Sequence, residues 1–206
     1  QIVVTDQIER IDQGACARLL RSFFSEQTCE LDVGVLLRHL QPRTALFAGL
    51  VHGADLDAGG LHRWGPIAAC ARVEAEFTHP AIRWKGNGYL DSNEGDEPIE
   101  NGFHHWDWSR SQLRDGSTAV IYDMQWPDQP ERVLSLRFGR EGQVDSFQAP
   151  PRQKLPSTLW RVKRNMRSPS PVKVVHQLED TPFYQRALLQ NELLGETVHS
   201  FHESLS

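Results

Sequence analysis

The chain has 206 residues, 39% of them hydrophobic, which suffices for one substantial core or two small ones and excludes a disordered chain. A formal charge of −5, from 22 basic and 27 acidic residues, excludes broad electrostatic attraction to nucleic acid or to an anionic membrane. Three cysteines, Cys16, Cys29 and Cys70, lack CxxC spacing, which argues against a disulfide framework or a zinc site and for a reducing, cytoplasmic compartment.

The opening Gln-Ile-Val-Val-Thr-Asp-Gln carries neither a basic stretch nor a long apolar core, so no secretory signal is expected. A transmembrane run of about 20 apolar residues is not found either. Residues 11–24 place Ile11, Ala15, Leu19 and Phe23 at roughly helical spacing, and a second apolar cluster runs from Leu31 to Leu40. This predicts a short helical or irregular lead-in over 1–41.

From about residue 44 the pattern turns to period two, rich in β-branched and aromatic residues and broken by Gly, Pro and Asp. Strands are expected at about 44–52, 71–78, 103–113, 117–126, 131–138, 143–148, 158–166, 172–179 and 184–201. Asp115-Gly116 and Glu141-Gly142 read as hairpin turns, and the proline-bearing stretches 149–156 and 168–171 as interruptions of pairing. Many short antiparallel strands over 42–206 predict a mainly β domain, a sandwich or barrel whose interior holds one small ligand.

Residues 86–110 mix carboxylates, histidines, tryptophans and glycines in a way that neither a solvated loop nor a core strand requires. Acids beside aromatic faces suggest acid chemistry in an apolar pocket. Strand alternation puts Phe103, His105 and Asp107 on one face and His104, Trp106 and Trp108 on the other, so the two histidines diverge and do not share a metal. A calcium loop beginning at Asp91-Ser92-Asn93 fails, because Gly102 occupies the last ligand position. Gly86-Asn87-Gly88 lacks the strand and helix of a phosphate cradle and reads as a bend into the pocket.

Three strings, Leu-His-Arg-Trp-Gly-Pro-Ile-Ala (61–68), Gly-Tyr-Leu-Asp-Ser-Asn-Glu-Gly-Asp-Glu-Pro-Ile-Glu (88–100) and Trp-Asp-Trp-Ser-Arg (106–110), resemble the carotenoid 1,2-hydratase family, also called hydroxyneurosporene synthases. The resemblance continues through Leu-Glu-Asp-Thr-Pro-Phe-Tyr (178–184) to the final His-Glu-Ser-Leu-Ser (202–206). It implies a lipocalin-like β fold and the addition of water to a terminal double bond of acyclic carotenoids such as neurosporene or lycopene, without metal or organic cofactor. The family's His-x-Trp and Tyr-x-Asp pairs map onto His62 and Trp64, then Tyr89 and Asp91. The first forty residues do not match, and the large N-terminal half usual in the family has no counterpart. The chain is therefore a fragment, a diverged member, or a protein completed by a partner.

Alkene hydration needs proton delivery to carbon and capture of the resulting cation by water. A carboxyl group among aromatics resists ionisation, which suits Asp91 as the acid. Trp64 and Tyr89 would stabilise the cation through their ring faces. His62 would either hydrogen-bond Asp91 or take a proton from the attacking water. Taken singly, His62 is more often a strand-edge residue, Trp64 a core anchor and Asp91 a turn cap. Asp107 and Arg110 are expected to pair, with Trp106 and Trp108 filling the core. Arg161, Lys163, Arg164 and Arg167 form either a solvated strand edge or a contact holding the protein peripherally on an anionic membrane. The same scaffold also suits a non-catalytic binder of a hydrophobic ligand, or a cyclase or pericyclase without a cofactor.

Overall fold

The computed structural model describes residues 2–5, 54–78, 81–98, 103–126 and 130–206. The helical lead-in over 1–41 and the strand expected at 44–52 lie outside the described residues, apart from β1, Ile2–Thr5. The remaining strands are β2 (Ala54–Asp55), β3 (His62–Thr78), β4 (Ala81–Gly95), β5 (His105–Gln112), β6 (Thr118–Gln125), β7 (Arg132–Phe138), β8 (Val144–Ser146), β9 (Arg152–Lys154), β10 (Asn165–Arg167), β11 (Lys173–Asp180), β12 (Tyr184–Leu193) and β13 (Glu196–Leu205). They form a four-stranded sheet in the order β1-β4-β3-β2, a seven-stranded sheet in the order β11-β12-β13-β5-β6-β7-β8, and the pair β10-β9. Every pairing is antiparallel, as the mainly β reading expects.

The two larger sheets face each other across one apolar layer. Trp64 and Tyr89 from the first sheet meet Trp106, Trp108, Val120, Tyr122, Met124 and Phe138 from the second. Ring pairs span the gap, with Trp64 to Tyr122 centroids 6.0 Å apart and Tyr89 to Trp108 5.7 Å apart. Burying each such side chain contributes about 1.5–3 kcal/mol, so this layer dominates the adhesion of the sheets. On the reverse of the seven-stranded sheet, Leu155 and Met166 beside β9 and on β10 cover Ala187 and Leu189.

Local turn chemistry behaves as read. Gly116 and Gly142 adopt φ of 81° and 92° in the β5–β6 and β7–β8 hairpins. Expectation and structure part where the signal is not local. The strand placed at 71–78 runs back to His62. Its partner β4 is not among the expected strands, because Gly86, Gly88 and a polar tail conceal its alternation. Gly86-Asn87-Gly88 is therefore extended ladder, with Gly88 paired to Ala71 and Val4. The stretch 149–156 does pair, since its prolines flank β9 without entering it. Of 158–166 only the end joins a strand, β10. The single strand expected at 184–201 is a hairpin turning at Leu194 and Gly195, whose φ values of 52° and 81° are both left-handed. A turn of that kind normally advertises itself with Asn-Gly, and leucine hides it.

One irregularity positions the site. Pro66 pairs with Asp91, but Ala68 pairs with Leu90 and Ala71 with Gly88, so β3 carries extra residues there. Burial on β3 accordingly switches from His62, Trp64, Pro66 and Ala68 to Ala69 and Ala71, with Ile67 turned outward. Such a bulge raises local twist and re-aims side chains.

Candidate active site

Trp64, Tyr89 and Asp91 converge because β3 and β4 are adjacent and all three point into the inter-sheet layer. Trp64 lies across from Asn93, two residues along β4 from Asp91, which is within an indole's diagonal reach. Its Nε1–H donates to Asp91 Oδ2 at 2.7 Å, and the Tyr89 hydroxyl donates to the same oxygen at 3.0 Å. Burial pushes the Asp91 carboxyl above its ordinary value, and the bonds from Trp64 and Tyr89 offset only part of that rise. Tyr89 is raised well above the normal phenol range, first by burial and then by the adjacent Asp91.

His62 stands apart from this trio. It pairs with Gly95, four residues along β4 from Asp91, or about 13 Å at ordinary strand rise. Its Nδ1 instead meets Asp57 Oδ2 at 2.6 Å, and its ring packs edge-on against Phe103 at 4.9 Å. Burial pushes Asp57 upward, but the bonds from His62 and the Leu61 amide hold it below the usual carboxylate value. A Cβ on Gly95 would come within 3.1 Å of His62 Cδ2, so the glycine admits the imidazole. Among the described residues His62 Nε2 is buried without a hydrogen-bond partner. The structure thus brings together three of the four expected residues and ties the fourth to Asp57.

Arg110 is not the partner of Asp107. Three positions apart on one strand, the two side chains project to opposite faces. Arg110 enters the inter-sheet layer with its guanidinium 5.3 Å from the Tyr89 ring centre. Burial draws its pKa down to about 10, which leaves it cationic at neutral pH beside Tyr89 and Asp91. Trp106 and Trp108 fill the core as expected, and Phe103, preceding the strand, joins them in place of following the alternation.

On the other face, Asp107 is enclosed by donors. Its Oδ1 accepts the Asn165 amide at 3.1 Å and the Ser204 hydroxyl, while Oδ2 takes His105 Nε2 at 3.0 Å and Asn165 Nδ2 at 3.3 Å. His202 Nε2 bonds the Asn165 carbonyl at 2.6 Å and lies 3.7 Å from Asp107. Burial would raise Asp107, yet the bond from His105 and the charges of His202 and His105 hold it below its ordinary value.

The sequence points to none of Asp57, Tyr122 and Glu203, and to Arg110 only as a partner of Asp107. Glu203 pairs with Trp108 across β13 and β5, and burial pushes its carboxyl upward despite Arg186 at 3.2 Å. Strand parity from Trp106 and Trp108 was the available signal for Arg110. For Asp57 no signal existed, because nothing local in the sequence ties it to His62. Of the basic group, Arg161 and Lys163 are exposed. Arg164 is buried against Pro156, Gln177 and Gln185, and Arg167 pairs with Asp123 at 2.7 Å.

Residues 36–206 match the family described as carotenoid hydratase CrtC. The acyclic carotenoid 1,2-hydratase of Rubrivivax gelatinosus is 55% identical over a stretch covering 73% of this chain and 38% of that protein. The corresponding protein of Thiocapsa roseopersicina is 47% identical over 73% of this chain and 38% of its own length. That of Rhodobacter capsulatus is 34% identical over 82% of this chain and 61% of its own length. The chain thus spans well under half of the first two relatives.

Proposed function

Because the chain belongs to the carotenoid hydratase CrtC family, we propose that it carries the acid site of an acyclic carotenoid 1,2-hydratase, acting on the terminal C1–C2 double bond of a substrate such as neurosporene or lycopene. One observation carries this reading. A buried carboxyl group, raised above its ordinary value, receives both an indole and a phenol on a single oxygen.

The chemistry follows from that geometry. Asp91 delivers its proton to C2, the C=C π pair forms the new C–H bond, and a tertiary cation remains at C1, the carbon bearing two methyl groups. The Asp91 carboxylate is then held by Trp64 and Tyr89. Water attacks C1, loses a proton to that carboxylate, and leaves a tertiary alcohol with the acid restored. Placing the acid in a dry aromatic layer raises its proton-donating power near neutral pH and excludes water until the cation exists. The π faces of Trp64 and Tyr122 supply cation–π attraction, about 2 kcal/mol for a desolvated pair. One face of Tyr89 is engaged by Arg110, so its hydroxyl matters more than its ring.

His62 serves this site from a distance, in our reading, by fixing the entry to β3 through Asp57. The further length found in the relatives would complete the wall around a long polyene. The test is incubation with detergent-dispersed lycopene in deuterium oxide. The expected product gains one D2O, with one deuterium bonded to carbon at C2. A product without added water would sink the hydratase reading, and deuterium elsewhere on the chain would sink the protonation step.

A further inference from the structure

Eight large hydrophobic side chains are exposed among the described residues, and four of them, Leu159, Trp160, Leu178 and Phe183, gather at one end of the seven-stranded sheet. Leu159 is 85% exposed, Phe183 61% and Trp160 54%. Leu159, Trp160 and Phe183 sit on two adjoining turns, joined where the Leu159 amide donates to Asp180 Oδ2 at 2.8 Å, and Leu178 lies near the end of β11. The first turn is held open by Arg161, a non-glycine residue at φ 56° whose amide bonds the Thr158 carbonyl at 3.1 Å. Leu178 lies in a register irregularity of β11, where Gln177 pairs with Ala187 and Glu179 with Arg186. Exposed tryptophan, leucine and phenylalanine concentrated on turn tips are unusual for a surface that meets only water.

The charges around these tips point to the occupant. Arg161 and Lys163 are exposed beside Trp160, whereas Asp180 is engaged by the Leu159 amide and Glu179 lies 3.9 Å from Arg186. Aromatic and aliphatic tips flanked by exposed cations match the interface of an anionic bilayer, where indole rings settle at headgroup depth and basic side chains meet lipid phosphate. With a charge of −5 over the whole chain, approach to an anionic surface depends on local basic contacts of this kind.

The same end of the fold leads inward. Tyr184, next to Phe183, packs on Trp106 at 6.5 Å, Trp106 on Tyr122 at 5.6 Å, and Tyr122 on Trp64 at 6.0 Å, the ring that bonds Asp91. We infer that the Leu159–Trp160 and Phe183 turns insert into an anionic lipid surface and face the Tyr184–Trp106–Tyr122–Trp64 row toward the membrane, as the side from which an apolar substrate reaches Asp91. Insertion stands on the exposed turns alone, while the entry direction rests on the proposed hydratase reading.

Flotation of the 206-residue chain with vesicles separates the two. Vesicles of phosphatidylcholine with phosphatidylglycerol should carry the protein, and pure phosphatidylcholine vesicles should carry about tenfold less. Trp160→Ser with Leu159→Ser should weaken partition by tenfold or more, and Phe183→Ser should weaken it separately. Brominated lipid should quench the wild-type fluorescence and quench Trp160→Phe less. Equal partition of wild type and the double variant, or no flotation with anionic vesicles, overturns insertion. So does loss of quenching in a longer chain whose upstream residues cover Trp160. Unequal turnover of vesicle-borne substrate with equal turnover of detergent-borne substrate supports the entry direction; equal effects on both overturn it. If no hydration occurs at all, the partition results still stand or fall alone.

Discussion

Asp91 and Asp107 are both strand aspartates sealed inside the protein, one on each side of a sheet, and although burial raises both, their net shifts run in opposite directions. Asp91 meets two donors on one oxygen and ends above its ordinary value. Asp107 has donors on both oxygens, with His105 and His202 beside it, and ends below. Desolvation pushes the two alike, so the number and charge of the surrounding donors decide the outcome. The comparison teaches that burial alone does not set the direction of a carboxyl's shift, which turns on how far its bonds and neighbouring charges offset desolvation.

The sharpest way to break the comparison is to exchange the consequences of removing each carboxylate. Asp91→Asn should lower kcat by roughly 10²–10⁴, the usual range for losing a general acid, with a urea midpoint changed by less than about 1 kcal/mol of stability. Asp107→Ala should do the reverse. It leaves His105, Ser204 and Asn165 facing a void and should cost about 3 kcal/mol by urea unfolding, with kcat near wild type under folding conditions. Large stability loss from the first variant, or kcat loss without unfolding from the second, would dissolve the distinction.

A second way is pH. In the proposed reaction Asp91 acts protonated, so activity should fall as pH rises through its elevated folded value. Its linkage to stability has the same sign: the unfolded chain ionises first, so stability declines between the ordinary aspartate value and the folded one. Asp107 has the opposite sign, since its lowered value confers stability that disappears as pH falls through it. His202, lowered by complete burial, adds to this side, because the unfolded imidazole takes a proton below its ordinary value while the folded one does not. Urea midpoints across acid pH should therefore fall toward low pH in wild type and flatten in Asp107→Asn.

The smallest effect refines the first member of the pair. Tyr89→Phe removes one donor to Asp91 and should move the alkaline limb of the activity profile upward by about one pH unit, since a hydrogen bond to a charged group is worth roughly 1.5–3 kcal/mol. A limb that stays in place would mean that Trp64 alone sets the acid.

How legible this was depended on separation along the chain. Hairpins marked by Asp115-Gly116 and Glu141-Gly142 could be read because two adjacent residues specify them. The opposite orientations of His104 and His105, and of Trp106 and Asp107, followed from alternation alone. The bond between Trp64 and Asp91 joins residues 27 apart, and only the family resemblance placed them at one site. Assigning His62 to the same hydrogen-bonded group failed because pair spacing gives neighbours in sequence, whereas register gives neighbours across the sheet. Arg110 was given the wrong partner for a plainer reason, an odd separation from Asp107 that alternation should have vetoed.

The bulge in β3 beside Pro66 also acts as a latch on alignment. A regular antiparallel pair can slide by two residues and keep every side chain on its original face, so inside–outside patterning alone does not forbid it. Here the extra residues of β3 must lie opposite the Gly88 to Asp91 stretch, where one glycine and, on β3, a proline without an amide proton tolerate the mismatch. A slide would carry that surplus against fully paired backbone, and Trp64 would lose its aim at Asp91 together with the register that supplied it.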